Sequence, residues 1–299
     1  MNPIAQGGNG HYWLPVSTKP PRRVVSLVPS LTESLIDLGF GDTLVGITDF
    51  CLPDQKFTFS IPRVGGPQNA RMNDILRLDP DLVIANREEN HKDLIEDLER
   101  NGVPVWVTFP KTVLQSLDVL WNMIRIFQDD RAADRIRTIE ITLEWELASL
   151  DEVVEKRYFC PIWQEETAEG RPWFMTFNQD TYSADLLALL GGKNVFAARS
   201  RRYPLRADLD METPEDPGQR DTRYPRVTVE EVLTACPEMI LLPDEPYPYG
   251  QGHQEEISRI FAATPAARNH HIFTIDGRLI TWFGTYLARA LIELPPLFA

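Results

Sequence analysis

The sequence predicts an α/β protein of two lobes, each built on a mostly parallel sheet and joined by one long helical segment. Three observations carry that prediction. The chain has 299 residues, a length at which single cores usually give way to two. Asp74–Ala85 (DILRLDPDLVIA) and Glu231–Leu242 (EVLTACPEMILL) share a plan: an acidic residue opens a short helix, Leu76 or Leu233 follows two positions on, and Pro80 or Pro237 stops the helix before an apolar run. Apolarity that runs on without alternating marks a parallel strand covered on both faces. Finally, residues 111–156 contain neither Gly nor Pro, the pattern of extended helix between the two repeats.

The elements follow in order. Residues 1–21 are a polar N-terminal extension without a basic stretch leading into an apolar run, so a cytoplasmic protein is expected from the chain as written. The alternative is a periplasmic or cell-surface protein whose signal is not in this sequence. Residues 22–110 form the first α/β lobe, with strands at Val24–Leu27, Leu44–Ile47, Leu82–Ile84 and Val105–Val107. Residues 111–157 link the lobes, with a break and recapping at Gln128–Asp130; as one helix, Asp130–Lys156 would run about 40 Å. Residues 158–299 form the second lobe, with strands at Trp173–Thr176, Met239–Leu242 and Ile272–Ile275. A second correspondence pairs Pro29–Val45 with Asp180–Phe196, each a helix ending in glycine before a strand. Within lobe two, residues 199–226 are rich in Arg, Asp and Pro and read as an irregular, solvated insertion.

Composition narrows the function. A net charge of −14 repels phosphate backbones, so no nucleic-acid partner is expected. The longest apolar runs fall far short of a membrane-spanning helix. Cys51, Cys160 and Cys236 are scattered and odd in number, which fits neither a disulfide framework nor a thiolate metal site. The five histidines show no ligand spacing; His253 alone, after a Gly- and Tyr-rich loop, offers a candidate axial ligand to a chelated metal. GxSxG, Walker A, GxGxxG and HExxH patterns are missing, so no enzyme and no catalytic cofactor is expected, and a monomer is.

Ligands collect at the carboxyl ends of parallel strands. That rule selects Phe50 after the second strand and Asn86 and Arg87 after the third; in lobe two it selects Trp173, Phe174, Tyr224, Tyr247, Tyr249, Trp282, Phe283 and Tyr286. So aromatic a set suits a flat macrocycle, since each ring gives large contact area at low entropy cost.

Four stretches, RVVSLVPSLTESLIDLGFGDTLVGITDF, DILRLDPDLVIAN, RYPRVTVEEVLTACPEMILLPDEPYP and IDGRLITWFGTYLARAL, together resemble the helical-backbone metal-receptor superfamily, the class III substrate-binding proteins of ABC importers, nearest to binders of vitamin B12 and iron siderophores. The resemblance implies two Rossmann-like lobes bridged by a helix, a ligand held between them, and a ligand that is a corrinoid such as cobalamin, haem or a ferric siderophore. It places Phe50, Pro67, Gln68, Asn69, Arg87, Trp173, Tyr224 and Trp282 at ligand-contact positions, with Pro67 where a tryptophan and Tyr286 where an arginine would stand. It further implies docking to an ABC permease through one acidic residue per lobe: Glu230 in lobe two and, in lobe one, Asn73 with Asp74 beside it. The competing expectation is a chelatase-like, tetrapyrrole-processing enzyme.

Overall fold

The computed structural model describes residues 19–51, 60–149 and 155–298. Packing divides them into two compact units. One takes the described residues up to Pro110 with Leu114–Thr142 and Trp282–Ala288; the other takes Lys111–Val113, Leu143–Thr281 and the described residues from Arg289.

The first unit holds β1 (Val24–Ser26), α1 (Pro29–Asp37), β2 (Leu44–Ile47), α2 (Met72–Arg77), β3 (Leu82–Asn86), α3 (Lys92–Arg100) and β4 (Val105–Thr108), and most of α4 (Val113–Phe127). Its four strands, all parallel, lie in the order β2-β1-β3-β4. Each strand is where the apolar runs put it. Both faces are covered, as unbroken apolarity requires: Val25, Val83, Ala85 and Val105 pack with Ile75 and Leu98, while their neighbours Val24, Ile84 and Trp106 are equally buried. Chain reversals use backbone that ends helices abruptly. Gly39 follows α1 at φ +83°, and Asp79 follows α2 at φ +45° just before Pro80.

After α4 the expected break is present. Gln128 turns at φ +53°, and the Asp129 side chain accepts the Arg131 N–H at 3.0 Å, restarting the chain into α5 (Ala133–Ser149). Trp121 Nε1 donates to Glu140 at 2.7 Å, tying α4 to α5. The single helix expected over Asp130–Lys156 needs correction: α5 has 17 residues, about 26 Å, and Lys156 already belongs to a strand. Residues 150–154 lie outside the described residues.

The second unit contains β5 (Lys156–Phe159), β6 (Trp163–Glu166), β7 (Pro172–Met175), α6 (Tyr182–Leu189), β8 (Gly192–Asn194), α7 (Leu205–Asp208), β9 (Arg226–Thr228), α8 (Val229–Ala235), β10 (Met239–Pro243), α9 (Gln251–Ile260), α10 (Pro265–Arg268), β11 (Ile272–Ile275), α11 (Arg278–Thr281), most of α12 (Leu287–Glu293) and α13 (Pro295–Phe298). Its parallel sheet reads β8-β5-β10-β11. Counted in chain order that is 2-1-3-4, the topology of the first unit. The sequence repeat is therefore a repeat of topology, down to the helix ends: Gly191 (φ +87°) matches Gly39, and Cys236 (φ +51°) before Pro237 matches Asp79 before Pro80. Thr228 opens α8 with a capping box closed by Glu231.

Two expectations for this unit are corrected. Trp173–Thr176 is not in the parallel sheet: β7 pairs antiparallel with β6 and β9 in a separate three-stranded sheet, with β6 and β7 inserted between β5 and α6 and β9 supplied from just before α8. The strand equivalent to β1 is β5, which opens on Lys156 and Arg157 and so reads as the tail of the preceding helix. Residues 199–226, expected as a solvated loop, are pinned from inside. Asp208, 0% exposed, accepts the N–H groups of Arg202 (2.9 Å) and Arg226 (2.7 Å) and pairs with Arg199 at 2.9 Å. Arg199 also reaches Glu231 of α8 at 3.1 Å. A buried carboxylate does here what an apolar cluster does elsewhere.

Candidate functional site

A doubly wound sheet binds its ligand at the carboxyl ends of the strands, where the strand order reverses. The reversal falls between β1 and β3 in the first unit and between β5 and β10 in the second. These two crevices are the places to look.

In the first unit the crevice is laced by Asn90, which is buried. Its Nδ2 donates to Leu27 O (3.3 Å), beyond β1, and to Pro67 O (2.9 Å). Its Oδ1 accepts the N–H of Asn86, at the end of β3, at 2.7 Å. One amide thus fixes three segments, including the expected Pro67–Asn69 loop. That loop turns on Gly65 (φ +106°), and Asn69 Oδ1 accepts the Gly66 N–H at 2.7 Å. Any Cβ on Gly66 would meet the Phe50 ring at 3.0 Å and Asn69 Oδ1 at 2.6 Å. Phe50 is 67% exposed, on a turn held from beneath by Arg63, which donates to the carbonyls of Thr48 and Cys51. Cys51 Sγ lies among the Thr32 and Thr48 hydroxyls, at 3.1 and 3.2 Å; burial raises its pKa despite them. Arg87 is exposed and stacks over the Phe109 ring at 5.2 Å. Phe50, Pro67–Asn69 and Arg87 therefore all belong to the carboxyl edge of one sheet.

Trp282–Tyr286 also belongs to this unit. Gly284 (φ +95°) donates to Ser116 Oγ at 2.9 Å, and Thr285 bonds Ser34 Oγ through its N–H (3.1 Å) and Asp37 through its hydroxyl (2.8 Å). Trp282 is half-buried and meets Tyr286 edge-on at 5.5 Å. Phe283 and Tyr286 are buried, which corrects their assignment as ligand faces: they pack the segment down.

In the second unit the crevice lies between the loops after β5 and β10, and aromatic rings meet there. Trp163, 39% exposed, contacts Tyr247 edge-to-face at 5.5 Å, and Tyr247 lies 4.6 Å from Tyr249. Trp163 escaped the sequence reading because β5 did; once β5 is recognised as the first strand of its sheet, the loop after it is the place a ligand contact is sought. Tyr249 is buried, and burial raises its pKa. It packs in the core with Phe174, so neither presents a face to a ligand. His253 is corrected too. Its Nδ1 accepts the Gly250 N–H at 3.1 Å, which leaves the proton of the neutral ring on Nε2 and no lone pair for a metal. Among the described residues no group of three His, Cys, Asp or Glu side chains is placed to hold a metal ion. Tyr224 is half-buried beside Arg223, whose guanidinium lies 5.4 Å from its ring.

Trp173 points elsewhere. A cavity of about 710 Å³ is walled by Trp173, Phe196, Leu209 and Val229, with Glu230 and Arg171 also lining it. It sits at the Pro172 end of β7, whereas Trp163 pairs with Met175 at the other end. The cavity is thus separate from the strand-end crevice, and Trp173 is buried against it. Glu230 is exposed in the first turn of α8, and Asn73 is exposed on α2. Asp74 is engaged by Arg71 (2.5 Å) and Arg77 (3.2 Å).

Residues 24–136 match the family model described as periplasmic binding protein. The vitamin B12-binding protein of Vibrio parahaemolyticus is 24% identical over 292 residues, covering 94% of this chain and 90% of that one; its namesake in Vibrio cholerae is 26% identical over 226 residues, 74% of this chain and 70% of the other. Among solved structures, the periplasmic vitamin B12-binding protein of Vibrio cholerae superposes with a TM-score of 0.72 at 19% identity, covering 93% of this chain and 97% of that one. The periplasmic haem-binding protein of Roseiflexus sp. RS-1 gives 0.70 at 19%, with the same coverage.

Proposed function

We propose that this chain is a class III substrate-binding protein, a reading supported by the family match and the fold, and that it binds a corrinoid such as cobalamin without acting on it chemically. The observation that carries the reading is the pair of strand-end crevices, one with exposed Phe50 above the Pro67–Asn69 loop, the other with Trp163 against Tyr247. Rings that keep exposed faces while their bases are held by hydrogen bonds and packing suit a rigid, flat, largely apolar ligand, because little side-chain entropy is lost on contact. The named relatives are binding proteins throughout, which supports a binder over a chelatase-like enzyme. Haem or a ferric siderophore is the alternative ligand, and the haem-binding protein of similar fold favours haem as the first of these to try.

The cytoplasmic expectation finds no support in the relatives, two of which are named periplasmic, so the periplasmic or cell-surface alternative is the one we carry forward. No helix among the described residues is long and apolar enough to cross a membrane. If an ABC permease is the partner, Glu230 offers it an exposed carboxylate, whereas the matching position of the first unit holds Asn73, next to an Asp74 already engaged by Arg71 and Arg77. Tryptophan fluorescence tests the binding reading: hydroxocobalamin, which absorbs in the emission range, should quench it saturably at one equivalent. Quenching that grows linearly without saturation, matching free tryptophan, contradicts specific binding.

A further inference from the structure

Residues 199–226 contain seven arginines in a chain of net charge −14. Five have carboxylate partners: Arg199 with Asp208 and Glu231, Arg202 with Asp210, Arg206 with Glu169, Arg220 with Glu215, and Arg223 with Asp221. Arg201 and Arg226 have none among the described residues. Both are half-buried. The Arg201 guanidinium lies over the Tyr203 ring at 4.2 Å, and its Nε is buried without a hydrogen-bond partner. The ring is itself held, its hydroxyl donating to Asp221 O at 2.6 Å. Arg226 spends one N–H on Tyr224 O at 2.9 Å. Burial, and then the neighbouring Arg201 cation, disfavour its charge and lower its pKa. Two like charges, partly desolvated and close enough to repel, have Asp208 as their nearby carboxylate, and that carboxylate is already engaged by Arg199 and two backbone N–H groups, so the pair is costly unless a further negative group joins it.

Their place in the fold says what that is. Arg201 N–H bonds Thr222 O at 2.8 Å, and Pro225 O, between Tyr224 and Arg226, accepts from Thr176 at 3.0 Å. The Thr176 hydroxyl in turn donates to Cys160 O at 2.8 Å, the residue that follows β5 and begins the crevice loop. We infer that Arg201 and Arg226 form an oxyanion site beside the carboxyl end of β5, receiving a phosphate or carboxylate borne by the bound chelate. The inference rests on the binding reading and sharpens it: the preferred chelate carries a phosphate or carboxylate, and one without such a group binds less well. Guanidinium forks suit either oxyanion, through paired charge-assisted hydrogen bonds.

The test compares wild type with Arg201→Gln, Arg226→Gln and the double variant, titrated with hydroxocobalamin (one phosphodiester), cobinamide (the same corrin without it) and haemin (two carboxylates). The double variant should lose at least tenfold in affinity for hydroxocobalamin if phosphate is the recognised group, or for haemin if carboxylate is, and stay within about twofold for cobinamide. Equal losses for all three, or none, overturn the site. A readout without the chelate separates it from the binding reading: millimolar inorganic phosphate should raise the melting temperature of wild type and not of the double variant, and the double variant alone should melt no lower than wild type. A lower melting temperature would make the pair structural and overturn the site, as would no protection by phosphate. Phosphate protection with no binding of any chelate would instead overturn the binding reading and leave the anion site standing.

Discussion

Replacing Asp208 by alanine tests whether one buried carboxylate organises the 199–226 insertion. The side chain is 0% exposed and holds two backbone N–H groups and the Arg199 guanidinium. Each orphaned buried donor costs about 1–3 kcal/mol, and breaking a buried ion pair by removing one partner costs about 3–5 kcal/mol. These terms overlap, and Arg199 keeps Glu231 at 3.1 Å and three backbone carbonyls, so the total falls at the lower end, about 3–5 kcal/mol in all. Asp208→Asn keeps the shape and one acceptor and should lose about half as much. Urea unfolding followed by circular dichroism, extrapolated to water, reads both values. Because one of these bonds positions Arg226, which itself donates to Tyr224 O at 2.9 Å, chelate affinity should fall alongside stability. A loss below about 1 kcal/mol for the alanine variant would refute the reasoning and return the insertion to a solvated loop.

Trp163→Ala should weaken chelate binding by about 1–3 kcal/mol with little effect on unfolding, whereas Phe174→Ala should cost about 3–5 kcal/mol of stability; titration calorimetry and urea unfolding on both variants separate the roles, and the reverse pattern contradicts them. Gly284→Ala should destabilise by about 1–3 kcal/mol, because φ is +95° and the new Cβ would stand 2.3 Å from Ser34 Oγ; an unchanged melting temperature would show that the 282–288 segment is not clamped as described. Cys51 and Cys160, both buried with pKa raised by burial, hold little thiolate at pH 8 and should resist iodoacetamide while half-buried Cys236 reacts first; mass spectrometry showing Cys160 modified as fast as Cys236 would contradict the packing of the second unit.

The four strands of the first unit were legible because each is a continuous apolar run bounded by helix stops, and β10 and β11 were legible for the same reason. β5 was not: Lys156 and Arg157 begin it, and only Tyr158 and Phe159 are buried. Missing it moved Trp173–Thr176 into the wrong sheet and hid Trp163. Aromatic identity alone did not separate surface from core. Phe50 and Phe174 both follow or end apolar runs, yet one is 67% exposed and the other 1%, because Trp173 and Phe174, on opposite faces of β7, are both buried while Phe50 rides a turn. The insertion was misjudged because its order comes from hydrogen bonds to Asp208, which leave no periodicity in a sequence rich in charged residues.

The central claim, that the chain binds a flat metal chelate, is tested most directly by isothermal titration of the purified protein with hydroxocobalamin, cobinamide and haemin, with the visible spectrum of each ligand recorded alongside. One-to-one binding of at least one of them, micromolar or tighter with a shifted ligand spectrum, is the predicted result. No heat and an unchanged spectrum with all three would contradict the account.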